Sequence, residues 1–529
     1  MTASTSAVPT DSNGPELAGS WIDALFGYGL LYLLSVPLIF WLARSQGMEA
    51  WPAGVAGLLA LVISGPHYAA TILRVYEKRR DRRKYAFFAV WVTALLSICF
   101  VVSLYSEPFG SWILTAYVCW SPWHFAGQNF GVSMMSLRRR AVPIDELSRR
   151  LLHGSFILAF LLSIVSMQTG GTRSEVALGA DGANVYHVIR LGIAPDVSLI
   201  ILWIVGLVYL SVTIGALIRL GRGHQTRHLG PTILLMATHS LWYVLPVISA
   251  NRIPLIYSAV WVSTIHSLQY LWVTSYYAKR TAGKRGSTFY WQCLLVGGVL
   301  AVTLQLIFAP GLLGRFIPFA SDAGIMVFST LNLHHFILDG AIWKLRDGRV
   351  GRILLNQSTV QIETNSASSR RGFLRPAIYT IGALSLMTPF YFFAESRLAI
   401  NSESHTTTEN AAGRLSFWGK EIPGVHAAVA RHRNLAGNAD GAIDAFRREL
   451  ALEPNNPIAA GELAGLLLDD PRGARESLAL ASYASEAMGD SNPVVLIILG
   501  SARARVGQRE SAQAAFLRAE QIAVTQGRS

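Results

Sequence analysis

The chain has 529 residues, 52% of them hydrophobic and 15% charged, with 45 Lys and Arg against 32 Asp and Glu and a formal net charge of +13. Soluble domains carry about 25% charged residues, so an ordinary soluble enzyme is a poor fit. A basic chain can also mean nucleic-acid binding, but basic loops beside a membrane account for this excess, and no nucleic-acid partner is expected.

Residues 1–20 are rich in Ser, Thr, Pro and Gly and hold no Lys or Arg, which predicts a disordered tail. No basic region precedes the first apolar run, so a cleaved signal peptide is not expected. A bilayer core of roughly 30 Å takes about 20 apolar residues as helix. Eleven windows approach that requirement: 24–43, 51–73, 86–105, 111–136, 151–168, 197–218, 231–249, 253–277, 289–310, 322–343 and 376–394. Backbone groups in lipid must be satisfied within the segment, so each is read as a helix. Residues 21–394 are thus expected to be a polytopic membrane domain.

The basic residues alternate between loops. Five clusters lie at 74–84, 138–150, 219–227, 279–285 and 344–375, and hold 26 Lys and Arg. The intervening loops hold five: Arg44, Arg173, Arg190, Arg252 and Arg315. The rich set is read as cytoplasmic. This puts the N-terminus inside and the chain after the last helix outside, in the periplasm if the cell is Gram-negative. The acidic residues Asp11, Glu16 and Asp23 before the first helix favour the opposite orientation locally. Cys99, Cys119 and Cys293 all fall inside apolar windows with no CxxC spacing, so they are read as packing residues rather than disulfide or zinc ligands.

Residues 395–529 differ in composition, with 14 Lys and Arg against 16 Asp and Glu. A linker is expected over 395–423 and a helical repeat domain over 424–529. The pattern of Gly437, Ala442, Phe446, Leu450, Leu452 and Pro454 recurs in part around Gly507, Ala512, Phe516 and Ala519, with Phe446 and Phe516 70 positions apart. Leu463–Ala464 answers to Leu499–Gly500 between them. Small residues let two helices approach closely, and the Phe fills the groove against the next unit. This pattern resembles the tetratricopeptide repeat (TPR) in about three units; the middle one has Asp469-Asp470-Pro471 where the turn Gly belongs. The resemblance implies an α-solenoid with a concave surface for a protein partner, or a helical cap. The fold class expected is all-α, a polytopic bundle of about eleven transmembrane helices followed by a soluble TPR-like solenoid.

Chemistry is expected at the histidines. Of 13, six lie inside the apolar windows: His67, His124, His239, His266, His334 and His335. Ionisable residues in a membrane are rare and face the bundle interior or a cavity. Counting from the nearest basic residue on the cytoplasmic side at about 1.5 Å per residue puts them roughly 10 to 21 Å deep. They fall in one layer although the helices alternate in direction. Asp339 stands four after His335, on one helical face, as ligand or as a partner orienting a ligating imidazole. His334 and His335 point about 100° apart, so one of the two is expected to face the site. The candidate metal ligands are His67, His124, His239, His266 and His335, with His334 and Asp339 beside them. Gln128, Asn129, Gln269 and Asn332 are candidates for the supporting shell. Tyr68, Trp123 and Tyr270, with Trp343 beside them, are candidates for lining a substrate pocket, with packing as the alternative. Arg74, seven residues after His67, is read as an interfacial anchor or as a grip for a headgroup or carboxylate. Pro66 and Pro122 precede two of the histidines and are expected to loosen their helices.

Imidazole with carboxylate favours iron, and an iron site within a membrane would oxidise a lipid or isoprenoid. The HxxxH and HxxHH boxes of membrane desaturases are absent. Single histidines on separate helices, here His67, His124, His239, His266 and His335, resemble the Brp/Blh-type carotene dioxygenases. That resemblance implies a helix-borne iron site and names carotenoid cleavage as one reaction. Three other readings stand beside it. Facing histidines can ligate haem in an electron-transfer protein. A lipid-linked glycosyltransferase shares the overall plan, although the first external loop here offers only Glu49. A transporter or assembly factor would use the histidines along a proton path.

Overall fold

The computed structural model describes residues 15–44, 57–76, 79–174, 185–222, 226–248, 255–319, 322–345, 348–355, 374–469 and 473–525. Residues 1–14 of the expected N-terminal tail and Glu49 lie outside them. Among the described residues the chain is helical, apart from two-residue strands Arg173–Ser174 and Val188–Ile189 that pair antiparallel. It divides into two units, the second comprising Ala309–Arg315 with the described part of Met387–Ser529.

In the first unit the helices are α1 (Leu30–Arg44), α2 (Gly57–Tyr76), α3 (Phe87–Ser103), α4 (Glu107–Arg139), α5 (Glu146–Met167), α6 (Pro195–Gly221), α7 (Thr226–Ile248), α8 (Leu255–Ala282), α9 (Gly286–Ile307) and α10 (Ala323–Ile342), followed by α11 (Leu374–Asn401). Their ends follow the local sequence. Ser106 caps α4 by accepting from the Phe109 amide, and Asp145 caps α5 by accepting from the Ser148 amide at 2.8 Å. Before α1 the chain bends by 59° between Ser20–Gly27 and Leu30–Leu38. The bend falls at Gly29, whose φ of +82° and contact with the Thr238 side chain leave no room for a Cβ. Asp23, buried at this bend, accepts from the Leu17 and Ala18 amides and the Trp272 indole.

Among the described residues six helices, not eleven, are long and apolar enough to cross a bilayer: α2, α5, α6, α9, α10 and α11. A seventh counts if the bent pair before and within α1 forms one span. The shortfall has a physical cause. Helices α4, α7 and α8 have the length, but buried polar residues such as Asn129, Ser133, Thr232, Thr238, Ser267 and Gln269 dilute their apolar character. Helix α3 is apolar but shorter than a span. In contrast, α6 exposes Leu199, Ile200, Trp203, Ile204 and Leu207 along its length. An apolar face of this extent needs lipid or protein to cover it.

Glycines bring the inner helices close. A Cβ at Gly297 of α9 would lie 2.4 Å from the Gly65 carbonyl carbon of α2, and one at Gly382 of α11 would lie 2.0 Å from the Leu295 carbonyl oxygen of α9. Such small-residue contacts allow backbone-to-backbone packing between apolar helices. Just before Gly65, residues Ala60–Ser64 form a π-helical turn. Pro66 brings no amide hydrogen to the regular ladder, and the widened turn absorbs the mismatch ahead of His67.

The second unit continues with α12 (His405–Phe417), α13 (Val425–Leu435), α14 (Ala439–Leu452), α15 (Pro457–Leu467), α16 (Ala474–Ala487), α17 (Pro493–Arg505) and α18 (Arg509–Thr525). The expected linker over 395–423 is largely helix, formed by the end of α11 and by α12. Asn456 and Asn492 cap α15 and α17, each followed by Pro at the first helical position. Gly437 and Gly507 both take positive φ after α13 and α17. Ala442, Ala459, Ala460, Ala464, Ala481 and Ala519 are buried where successive helices meet. Phe446 is buried against Leu463, and the Phe516 ring lies over Gly500. Asp470 and Pro471, in the middle unit of the expected repeat, lie outside the described residues.

Candidate metal centre

Four helices each bring one histidine to a common point. His67 comes from α2, His124 from α4, His266 from α8 and His335 from α10. The four imidazoles form a closed cycle of edge-to-face contacts. Ring centroids are 4.2 Å apart for His67–His335, 5.2 Å for His335–His124, 5.0 Å for His124–His266 and 5.1 Å for His266–His67. His67, His266 and His335 are 2% exposed. Asp339 sits one helical turn after His335, with Oδ2 3.4 Å from His335 Nε2 and 3.9 Å from His124 Nε2.

Two overlapping groups have ligand atoms mutually within 4.8 Å: His67, His266 and His335, and His124, His335 and Asp339. His335 belongs to both. Five imidazole nitrogens here are buried without a hydrogen-bond partner: Nδ1 of His67, Nε2 of His124, both nitrogens of His266 and Nε2 of His335. A buried polar atom left unpaired costs about 1–3 kcal/mol. Unpaired imidazole nitrogens beside a carboxylate are groups that could hold a metal ion.

The supporting hydrogen bonds orient this set. Asp339 Oδ1 accepts from the Tyr270 hydroxyl at 2.7 Å and from Thr71 Oγ1 at 3.0 Å. Thr71 Oγ1 also lies 2.9 Å from His335 Nδ1. The same oxygen meets the Tyr270 hydroxyl at 2.5 Å; with the single threonine proton directed to Asp339 or Tyr270, Nδ1 of His335 is the donor to Thr71. Nε2 is then the lone-pair nitrogen and faces the group. The Trp343 indole donates to the Tyr270 hydroxyl at 2.9 Å. Holding an imidazole tautomer through its other nitrogen is the usual support of a metal ligand. Gln128 donates to the Gln269 carbonyl oxygen at 2.6 Å and to the His266 backbone oxygen at 3.3 Å, and Gln269 donates to the Gly27 carbonyl. Phe336 stacks on His124 and Phe125 lies against His266, so the surroundings are otherwise apolar.

The structure does not bring every proposed residue to this point. His239 accepts from the Asn129 amide at Nδ1, 3.0 Å away, and donates from Nε2 to the Phe156 carbonyl, also at 3.0 Å. Both nitrogens are occupied, and neither metal group includes it. Asn129 therefore supports His239 rather than the cluster. His334 turns away and meets Thr93 Oγ1 on α3 at 2.8 Å. Asn332 accepts from the Tyr68 hydroxyl, whose ring lies 5.6 Å from that of His335. Tyr270 packs on His67 with centroids 4.4 Å apart. Trp123 is 47% exposed and packs on Phe160, about 100° around α4 from His124. Thr71 was not among the proposed residues. Its position four after His67, on the same helical face, was the available signal.

Comparison with protein-family models, with curated proteins and with solved structures finds no match.

Proposed function

We propose that the protein is an integral membrane oxidoreductase whose His/Asp centre holds iron and acts on a lipid or isoprenoid. The observation that carries this reading is the pair of overlapping groups, sharing His335, of buried imidazole nitrogens without hydrogen-bond partners, beside a carboxylate and among apolar helices. The residues that would hold the ion are His67, His124, His266, His335 and Asp339. Imidazole with carboxylate suits iron over softer metals, and iron there would supply one-electron redox chemistry that side chains lack. The chain's own contribution is placement. Thr71 fixes the His335 tautomer, Tyr270 and Trp343 fix the carboxylate, and Phe125 and Phe336 keep the surroundings apolar. This reading carries forward the resemblance to Brp/Blh-type dioxygenases, with four histidines as ligands rather than five.

A bare ion fits better than haem. A haem macrocycle lies between its two axial imidazoles. The imidazoles here touch edge to face at centroid separations of 4.2 to 5.2 Å, which leaves no slot for it.

In the second unit, the paired Asn-Pro starts 36 positions apart and the Gly turns 70 positions apart support the TPR-like reading. We assign that unit the role of binding a protein partner. The alternation of basic loops supports a cytoplasmic N-terminus and an extracytoplasmic repeat unit.

The reaction is tested by expressing wild type and His124→Ala in one host and comparing membrane lipid and isoprenoid extracts by mass spectrometry. Oxidised or cleaved products in the wild-type extract alone support the reading. Identical extracts from hosts that supply phospholipids, quinones and carotenoids would overturn it.

A further inference from the structure

A cavity lined by charged side chains lies about two turns beyond His67 along α2, where α2, α8, α9 and the short helices Arg79–Lys84 and Gly348–Leu354 meet. Arg74, Asp81, Tyr277, Lys284, Trp343 and Arg349 line it, with Ala70, Leu73 and Phe289 behind. The Arg74 guanidinium lies 4.7 Å from the Tyr277 ring centre and 5.9 Å from that of Trp343. Its Nη1 meets Asp81 Oδ2 at 2.8 Å, and Arg349 reaches Asp81 Oδ1 at 3.7 Å.

Two donors in this cavity have nothing to donate to. Arg74 Nε and the Tyr277 hydroxyl are both buried without a hydrogen-bond partner. The Arg74 side chain is 9% exposed and Tyr277 is 4% exposed, so bulk water does not pair them. Lys284 and Arg349 also line the cavity, and a buried guanidinium edge and hydroxyl left unpaired favour an acceptor group that would take both hydrogens. A guanidinium edge with a phenolic hydroxyl, backed by two further cations, is a donor set for an oxyanion.

We propose that this cavity is a phosphate-binding site, occupied by the phosphate of a lipid headgroup or by free phosphate. Basic pockets between membrane helices hold anionic headgroups in this way. The site stands apart from the metal reading, because none of its polar groups belongs to either His group. Trp343 touches both places, since its ring lies beside Arg74 and its indole donates to Tyr270.

The test uses the full chain in detergent and native mass spectrometry. The ligands are dioleoyl phosphatidate, dioleoylglycerol as its phosphate-free control, and inorganic phosphate. Wild type should retain phosphatidate and not dioleoylglycerol. Arg74→Lys, which keeps the charge but loses Nε, should weaken retention about ten-fold, and Tyr277→Phe about five-fold, as expected for a charge-assisted and a neutral hydrogen bond. Asp81→Asn, which removes the competing carboxylate, should strengthen it. If inorganic phosphate binds with the same variant dependence and displaces the lipid, the occupant is free phosphate. The proposal fails if dioleoylglycerol is retained as well as phosphatidate and free phosphate does not bind. It fails equally if Tyr277→Phe, which introduces no buried charge and should fold, binds both phosphate ligands as wild type does.

Discussion

His67 and His335, 268 positions apart in the chain, meet ring to ring at 4.2 Å in the interior of the first unit. Neither has a charged partner close enough to explain the contact except Asp339, which faces His335 and not His67. Two imidazoles in an apolar interior with nitrogens unpaired form a costly arrangement for packing alone. A shared ion would remove that cost.

Thr71 is the positioning residue most exposed to test. Thr71→Val keeps the shape of the side chain and removes the hydroxyl that takes the His335 Nδ1 proton and donates to Asp339. Metal affinity should fall about 10- to 100-fold, the usual effect of losing a supporting hydrogen bond. Thr71→Ser should restore it. A competition titration with a chelator reads the change, and the thermal midpoint of the metal-free protein separates it from misfolding.

His239 should behave in the opposite way. His239→Phe leaves the Asn129 amide and the Phe156 carbonyl without partners. Stability should drop by about 1–3 kcal/mol, with metal content unchanged in the folded fraction. Loss of metal without loss of stability would return His239 to the site.

Gly297→Ala tests the packing that sets His67. The new Cβ would overlap the Gly65 backbone two residues before His67. Overpacking of this kind costs roughly 1–3 kcal/mol. Thermal unfolding should show that loss together with weaker metal retention, since α2 must shift. Gly127→Ala on α4, where nothing lies within 4 Å of the new Cβ, should leave both unchanged.

The second unit carries a pH-dependent clasp. Arg433 holds both carboxylate oxygens of Glu409 at 2.7 and 3.0 Å, and this hydrogen bonding lowers the Glu409 pKa below the usual glutamate value. A depressed carboxylate pKa stabilises the fold above the unfolded value of about 4.3. That contribution fades as pH falls through the folded value. Hydrogen exchange in α12 and α13 of the full chain should accelerate below about pH 4.3 in wild type. In Glu409→Gln it should be faster at neutral pH and change less on acidification. Identical profiles would show that the clasp carries no stability.

Much of this architecture was legible in the sequence, and the failures have physical causes. Helix type and approximate position follow from apolar run length. The number of helices that qualify as spans does not, because a window tolerates buried polar residues such as Asn129, Thr238 and Gln269 that a bundle interior can satisfy. Depth along a helix axis placed all six buried histidines in one layer. Depth says nothing about rotation around the axis, and rotation separates His239 and His334 from the other four. The i, i+4 relation of His335 and Asp339 carried rotational information, and those two residues do share a face. The same relation between His67 and Thr71 was present in the sequence. A threonine four residues from a histidine is too common to single out until the Asp339 contact shows what the hydroxyl does.

Metal content of the purified full chain tests the central claim most directly. Elemental analysis of wild type should find about one equivalent of iron per chain, the metal this imidazole and carboxylate set favours. A His124→Ala/His335→Ala double variant of matched helical content should have lost it. Equal and substoichiometric metal in both proteins would contradict the account.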